Sequence, residues 1–108
     1  MPSLREKKRF LVFEVRADHE LSVHDIEIAL KTKFKGLFGL FGLADAGLLM
    51  LNNKYNKDKK RGIIRVNHKN VDRLRASFAM IDEINNKPAS IRSLGLSGML
   101  NKAEKKFM

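Results

Sequence analysis

The side chains with chemical potential in this sequence are mostly cations. Between positions 54 and 75 stand Lys54, Lys57, Lys59, Lys60, Arg61, Arg65, Lys69, Arg73 and Arg75, against only Asp58 and Asp72, a net charge of +7. Residues 1–9 add +3 through Arg5, Lys7, Lys8 and Arg9 against Glu6. The rest cancels, residues 10–53 giving −2 and residues 76–108 giving +2, so two short segments account for the formal charge of +10. Arginine offers a fork of donors to phosphate oxygens and lysine a point charge. Such an excess suits an anionic partner: nucleic acid, an acidic protein or an anionic membrane.

Other chemistries find little support. There is no cysteine, which excludes disulfides, thiolate metal sites and cysteine nucleophiles. His19, His24 and His68 form neither a His-Glu-x-x-His pair nor a zinc spacing. No phosphate-binding loop ending in Gly-Lys-Ser or Gly-Lys-Thr occurs. Gly95-Leu-Ser-Gly98 is a glycine turn and lacks the Gly-x-Ser-x-Gly of a nucleophile elbow. Asp82 and Glu83 are adjacent and point apart, whereas a metal-dependent nuclease needs several converging carboxylates. No catalytic residue, bound metal or cofactor is expected of this chain.

The 108 residues fit one domain, 44% of them hydrophobic, enough for a packed core. The apolar run after Arg9 is cut by Glu14 and Arg16, too short for a signal peptide. The least charged stretch, Gly36 to Asn53, is interrupted by Asp45, and a membrane span needs roughly 20 apolar residues, so none is expected. A cytoplasmic location is compatible with the missing cysteine.

The elements that must position the cations follow from periodicity. Phe10 to Val15 reads as a strand, with Leu11, Phe13 and Val15 on one face and Phe10, Val12 and Glu14 on the other. Ser22 caps a helix, with Asp25 completing a relative of the capping box. Its apolar stripe is Val23, Ile26, Leu30, Phe34, Leu37 and Phe41. Gly36, Gly39 and Gly42 weaken its end, and the Gly-Leu-Phe triplet there fits a frayed helix end packing on the domain. Ala46 to Asn53 is a second strand and Arg61 to Asn67 a third, joined by a basic hairpin loop. Asn70 caps a second helix with Val71, Leu74, Phe78 and Ile81 buried, Ala79 allowing close approach to the sheet, and an end at Asn85 to Pro88. Ala89 to Leu94 is a fourth strand, and Ser97 caps a final helix with Met99, Leu100, Ala103 and Phe107.

The order β-α-β-β-α-β with a helical tail implies an α+β, ferredoxin-like sandwich similar to the RNA-recognition motif: an antiparallel sheet with two helices on one face. RNA-recognition motifs stack bases on aromatics of the first and third strands. Here only Phe10 could do so, beside Ile63 and Arg65. Backbone and shape recognition of structured RNA is therefore expected, with an apolar open face of Phe10, Val12 and Ile63 left for a protein partner.

Three segments together resemble the archaeal ribonuclease P protein component 2 family: Leu4 to Val15 (LREKKRFLVFEV), Lys60 to Ala76 (KRGIIRVNHKNVDRLRA) and Ile91 to Gly98 (IRSLGLSG). Phe41-Gly-Leu-Ala44 matches in character. Two departures are conservative: Phe10 stands where the family often has tyrosine, and Val66 where cysteine is common. The resemblance implies a subunit of ribonuclease P, which makes the mature 5′ end of tRNA from its precursor, with the chemistry performed by the RNA subunit and its magnesium ions. It implies ribonuclease P RNA and the barrel-like ribonuclease P protein component 3 as partners, the two proteins pairing into a heterotetramer, and precursor tRNA only indirectly. The expected RNA contacts are Lys7, Lys8, Arg9, Lys59, Lys60, Arg61, Arg65, Lys69, Arg73, Arg75 and Arg92. Asn67 and His68 join them because the Arg-x-Asn-His-Lys segment matches, though His68 also reads as a turn residue before a helix. The alternatives are a ribosomal or other RNA-binding module of the same shape, a surface adaptor using the Gly-Leu-Phe segment, and a stand-alone nuclease.

Overall fold

The computed structural model describes residues 7–108. Arg5 and Glu6, counted above in the amino-terminal charge cluster, lie outside them, as does the start of the first matching segment. Strand β1 (Lys8–Ala17) leads to helix α1 (Val23–Ala46), then β2 (Leu49–Met50), β3 (Arg61–Asn67), α2 (Val71–Met80), β4 (Glu83–Ile84), β5 (Lys87–Ser97) and α3 (Leu100–Phe107). The sheet order is β2-β3-β1-β5-β4, and its pairings are antiparallel. This is the expected ferredoxin-like sandwich, with β4 added as a short edge strand.

Alternation along the strands divides the core. Leu11, Phe13 and Val15 of β1 and Ile64 and Val66 of β3 meet Ile26, Leu30 and Phe34 of α1 and Leu74 and Phe78 of α2. Each such side chain removed from water stabilises the fold by roughly 1.5–3 kcal/mol. On the opposite sheet face, Val12 and Ile63 pack beneath Ala103 of α3, with Phe10, Leu94, Leu100 and Phe107 around them.

Helix α1 begins as expected. Ser22 Oγ accepts from Asp25 N–H at 3.1 Å, and the Asp25 carboxylate accepts from Ser22 N–H at 3.3 Å. Its stripe differs from the expected one. The inward residues keep four-residue spacing through Ile26, Leu30, Phe34, Phe38, Gly42 and Ala46, while Leu37 and Phe41 face outward and Phe41 is 91% exposed. Gly39 adopts φ 78°, ψ 176°, a conformation open to glycine and costly for other residues. That break re-aims the last turns, which stay helical rather than frayed and still pack on the domain through Phe38, Gly42, Leu43 and Ala46.

Four further expectations are corrected. The second strand does not span Ala46 to Asn53: α1 continues to Ala46, Gly47 terminates it at φ 57°, and only Leu49–Met50 pair with β3 before a 3-10 turn at Asn52–Lys54. The second helix stops at Met80, because Asn85 and Asn86 (φ 57° and 63°) form a two-residue turn that folds Ile84 back onto Lys87. Asparagine tolerates the left-handed region such hairpin turns require. In α2 it is Ser77 that is buried, and Ala79 faces outward. Ser97 does not flank α3 directly; Met99 holds that place, with its N–H donating to Ser97 Oγ at 3.1 Å.

Candidate nucleic-acid interface

The β1–β3 register sorts the cations. Lys8 lies opposite Asn67 at one end of the ladder, and Glu14 lies opposite Arg61 at the other. Six residue steps of strand separate these ends, about 20 Å. Lys7, Lys8, Arg9, Asn67, His68 and Lys69 gather at the first end, and Arg73 and Arg75 continue from it along α2. Lys59, Lys60, Arg61 and Arg92 gather at the second. The hairpin and the second helix therefore do not supply one merged patch. They form two clusters bridged by β3, because the hairpin loop precedes that strand and the helix follows it.

At the hairpin end the arginines converge on one carboxylate. Arg61 Nε donates to Glu14 Oε2 at 3.0 Å and Arg92 Nε to Oε1 at 3.0 Å, with Arg92 NH2 in an ion pair 2.8 Å from the same oxygen. Arg16 Nε lies 3.9 Å from the same oxygen. The hydrogen bond from Arg61 is the main cause holding the Glu14 carboxyl below its usual range; Arg92 adds to it, against a smaller opposing effect of burial. Arg61 NH1 also donates to the Phe107 carbonyl at 3.2 Å, and Lys60 Nζ to the Ala17 carbonyl at 2.7 Å. Lys59 Nζ reaches the Met108 carbonyl at 2.9 Å and remains exposed. Sequence reasoning missed Arg16. Its signal is period-two alternation, which puts Glu14 and Arg16 on one face of β1.

At the other end a polar knot ties α1, β3 and α2 together. Asn67 Nδ2 donates to the Asp45 carbonyl at 2.6 Å, its Oδ1 accepts from Lys8 Nζ, and only 6% of the residue is exposed. Asn70, also buried, donates through Nδ2 to Asp45 Oδ2 at 3.1 Å, and its Oδ1 accepts from Arg73 NH1 at 3.5 Å. The Arg73 guanidinium lies 5.4 Å from the centre of the Phe38 ring. The amide of Asn67 is thus occupied by partners within the protein. His68 lies in the 3-10 turn before α2, its N–H bonded to the Lys7 carbonyl at 2.8 Å and its Nδ1 3.2 Å from the same oxygen. Lys7, Lys8, Lys69, Arg73 and Arg75 are exposed. Arg75 approaches the fully exposed Asp72 at 4.0 Å, a surface pair of little strength.

Arg65 lies between the clusters, opposite Phe10 on one side and Leu49 on the other. Its Nε is buried and has no hydrogen-bond partner among the described residues. The expected open apolar face is corrected: Val12 and Ile63 are fully buried under α3 and only Phe10 keeps partial exposure. The helical tail carries its own apolar stripe, and the sheet face is the surface available to bury it. Among the described residues, no group of three or more histidine, aspartate or glutamate side chains could hold a metal ion.

The fold and its two cationic clusters define a basic, ferredoxin-like α+β module. The chain belongs to the Rpp14/Pop5 family, whose profile matches residues 9–108. Ribonuclease P protein component 2 of Methanosarcina mazei is 35% identical over 108 residues, covering 100% of this chain and 90% of that protein. The protein of the same description from Methanocaldococcus jannaschii is 34% identical over 107 residues, covering 99% and 77%. A chain of the cryo-EM structure of yeast ribonuclease MRP shares the fold, with a TM-score of 0.63 at 17% identity, over 95% of this chain and 86% of that one.

Proposed function

We propose that this chain is a protein subunit of ribonuclease P, the ribonucleoprotein that trims the 5′ end of precursor tRNA. The observation that carries the reading is its similarity, over 99–100% of this chain, to archaeal ribonuclease P protein components 2. The charge agrees with it. Lys7, Lys8, Arg9 and Lys69 at one end of the β1–β3 ladder, Arg73 and Arg75 along α2, and Lys59, Lys60, Arg61 and Arg92 at the other end would neutralise RNA phosphates, with Arg65 between them. Two clusters about 20 Å apart suit two backbone segments of a folded RNA better than one extended strand. Holding those segments together would favour the compact RNA and lower its demand for magnesium.

In this reading the RNA performs the cleavage with its bound magnesium ions, and the protein supplies no reacting group. Ribonuclease P protein component 3 is the protein partner, in a heterotetramer, and the complex works in the cytoplasm. No helix among the described residues is long and apolar enough to cross a membrane.

Reconstitution tests the proposal. Precursor-tRNA cleavage by ribonuclease P RNA and the other protein subunits is measured across a magnesium series, with and without this chain. Adding the chain is expected to move the half-maximal magnesium concentration downward. An identical magnesium dependence would reject the proposal and favour a ribosomal or other RNA-binding role.

A further inference from the structure

We propose that Arg16, Arg61 and Arg92 form a preassembled site for RNA phosphates, and that Glu14 beneath them is its positioning residue. The inference rests on the RNA-binding reading above. A carboxylate on a phosphate-binding face is at first sight unfavourable, since it repels the ligand. Its placement resolves this. Arg61 of β3 and Arg92 of β5 are the direct cross-strand neighbours of Glu14 on either side, and Arg16 is two residues along the same face of β1. The Glu14 side chain is only 15% exposed, whereas Arg16 and Arg92 are 65% and 54% exposed. The anion lies low and the cations stand over it.

Three guanidinium groups against one carboxylate leave a net charge of +2 in the cluster. The donor count leaves capacity for a ligand. Each guanidinium has five N–H groups. Arg92 directs Nε and NH2 at Glu14, Arg61 directs Nε at Glu14 and NH1 at Phe107, and Arg16 only approaches the carboxylate. The remaining donors on Arg16 and Arg92 match phosphodiester oxygens, which arginine binds in paired fashion. Without Glu14, three like charges would repel and the long side chains would sample many rotamers. With it, much of the ordering that binding demands is already in place. The ligand class is an RNA backbone segment offering two adjacent phosphates, one for each unit of residual charge.

The test exploits a conflict of signs. Glu14→Gln and Asp58→Asn each raise the net charge by one. Asp58 is exposed on the hairpin loop, so Asp58→Asn is expected to tighten binding to an archaeal ribonuclease P RNA transcript slightly, as general electrostatics requires. Glu14→Gln is expected to weaken it about fivefold, through loss of preorganisation. Arg16→Gln, a surface change that leaves the fold intact, is expected to weaken binding about threefold and to reduce the salt slope by about one phosphate contact. Circular dichroism confirms that Glu14→Gln is folded; if it is not, Arg16→Gln alone decides. Tighter or unchanged binding by folded Glu14→Gln, or no effect of Arg16→Gln, would overturn the site. Failure of the unsubstituted chain to bind the transcript would instead remove the RNA-binding reading itself.

Discussion

The ring of Phe107 lies directly over Gly95, so close that a methyl group at Gly95 would fall inside it. This contact lets α3 settle on the sheet, where the Lys54–Glu104 ion pair at 3.0 Å and the Arg61–Phe107 hydrogen bond also hold it. Gly95→Ala is expected to lift α3 and to cost about 1–3 kcal/mol, as overpacking does. Urea unfolding measures the loss, and limited proteolysis within 100–108 reports the displaced helix. Unchanged stability and protection would show that α3 is not seated through this contact.

The knot around Asp45 makes a second prediction. Asn70→Ala removes a part-buried hydrogen bond to the carboxylate of Asp45, an exposed residue whose oxygen water can then reach, a change costing roughly 0.5–1.5 kcal/mol. Asn67→Ala is expected to destabilise similarly while leaving RNA affinity of the folded protein unaltered. A loss of affinity with stability retained would return Asn67 to the list of RNA contacts.

The outward turn of α1 makes a third. Phe34 is fully buried and Phe41 almost fully exposed. Phe34→Ala is expected to lose about 3–5 kcal/mol, and Phe41→Ser to stay within about 0.5 kcal/mol of the parent. Equal losses in thermal or urea unfolding would mean that Phe41 is part of the core after all.

Acid sensitivity follows from Glu14. Its folded-state pKa is depressed by Arg61 and Arg92, so its contribution to stability is full above the unfolded value, about 4.3. That contribution is lost as pH falls through the lower folded value. Asp25, lowered by the Ser22 cap, acts in the same direction. Unfolding midpoints measured from neutral pH into the acid range should therefore fall below about pH 4.5, and less steeply for Glu14→Gln. An identical acid profile for the variant would contradict the account of the arginine cluster.

How much of this was legible in the sequence varies by element. β1 and β3 were read because alternation and β-branched residues survive in any context, and Arg61 to Asn67 matches the expected strand end to end. The Ser22–Asp25 cap is local and was equally readable. The turn of α1 at Gly39 was not, because Phe41 satisfies an ideal helical stripe and only the backbone break before it takes it out. Asn85-Asn86 looked like a helix terminator, since helix ends and two-residue hairpins use the same residues. The cationic excess was plain, but not its division into two ends, which depends on strand register. Nor could the sequence show that α3 lies on Val12 and Ile63, because an amphipathic tail and an open apolar sheet face carry the same pattern whether or not they meet.

The central claim is that cations at both ends of the β1–β3 ladder neutralise RNA phosphates, and the salt dependence of binding to ribonuclease P RNA tests it most directly. With about five phosphate contacts, the logarithm of the association constant should fall against the logarithm of salt concentration with a slope of roughly −4. A slope near zero would contradict the account.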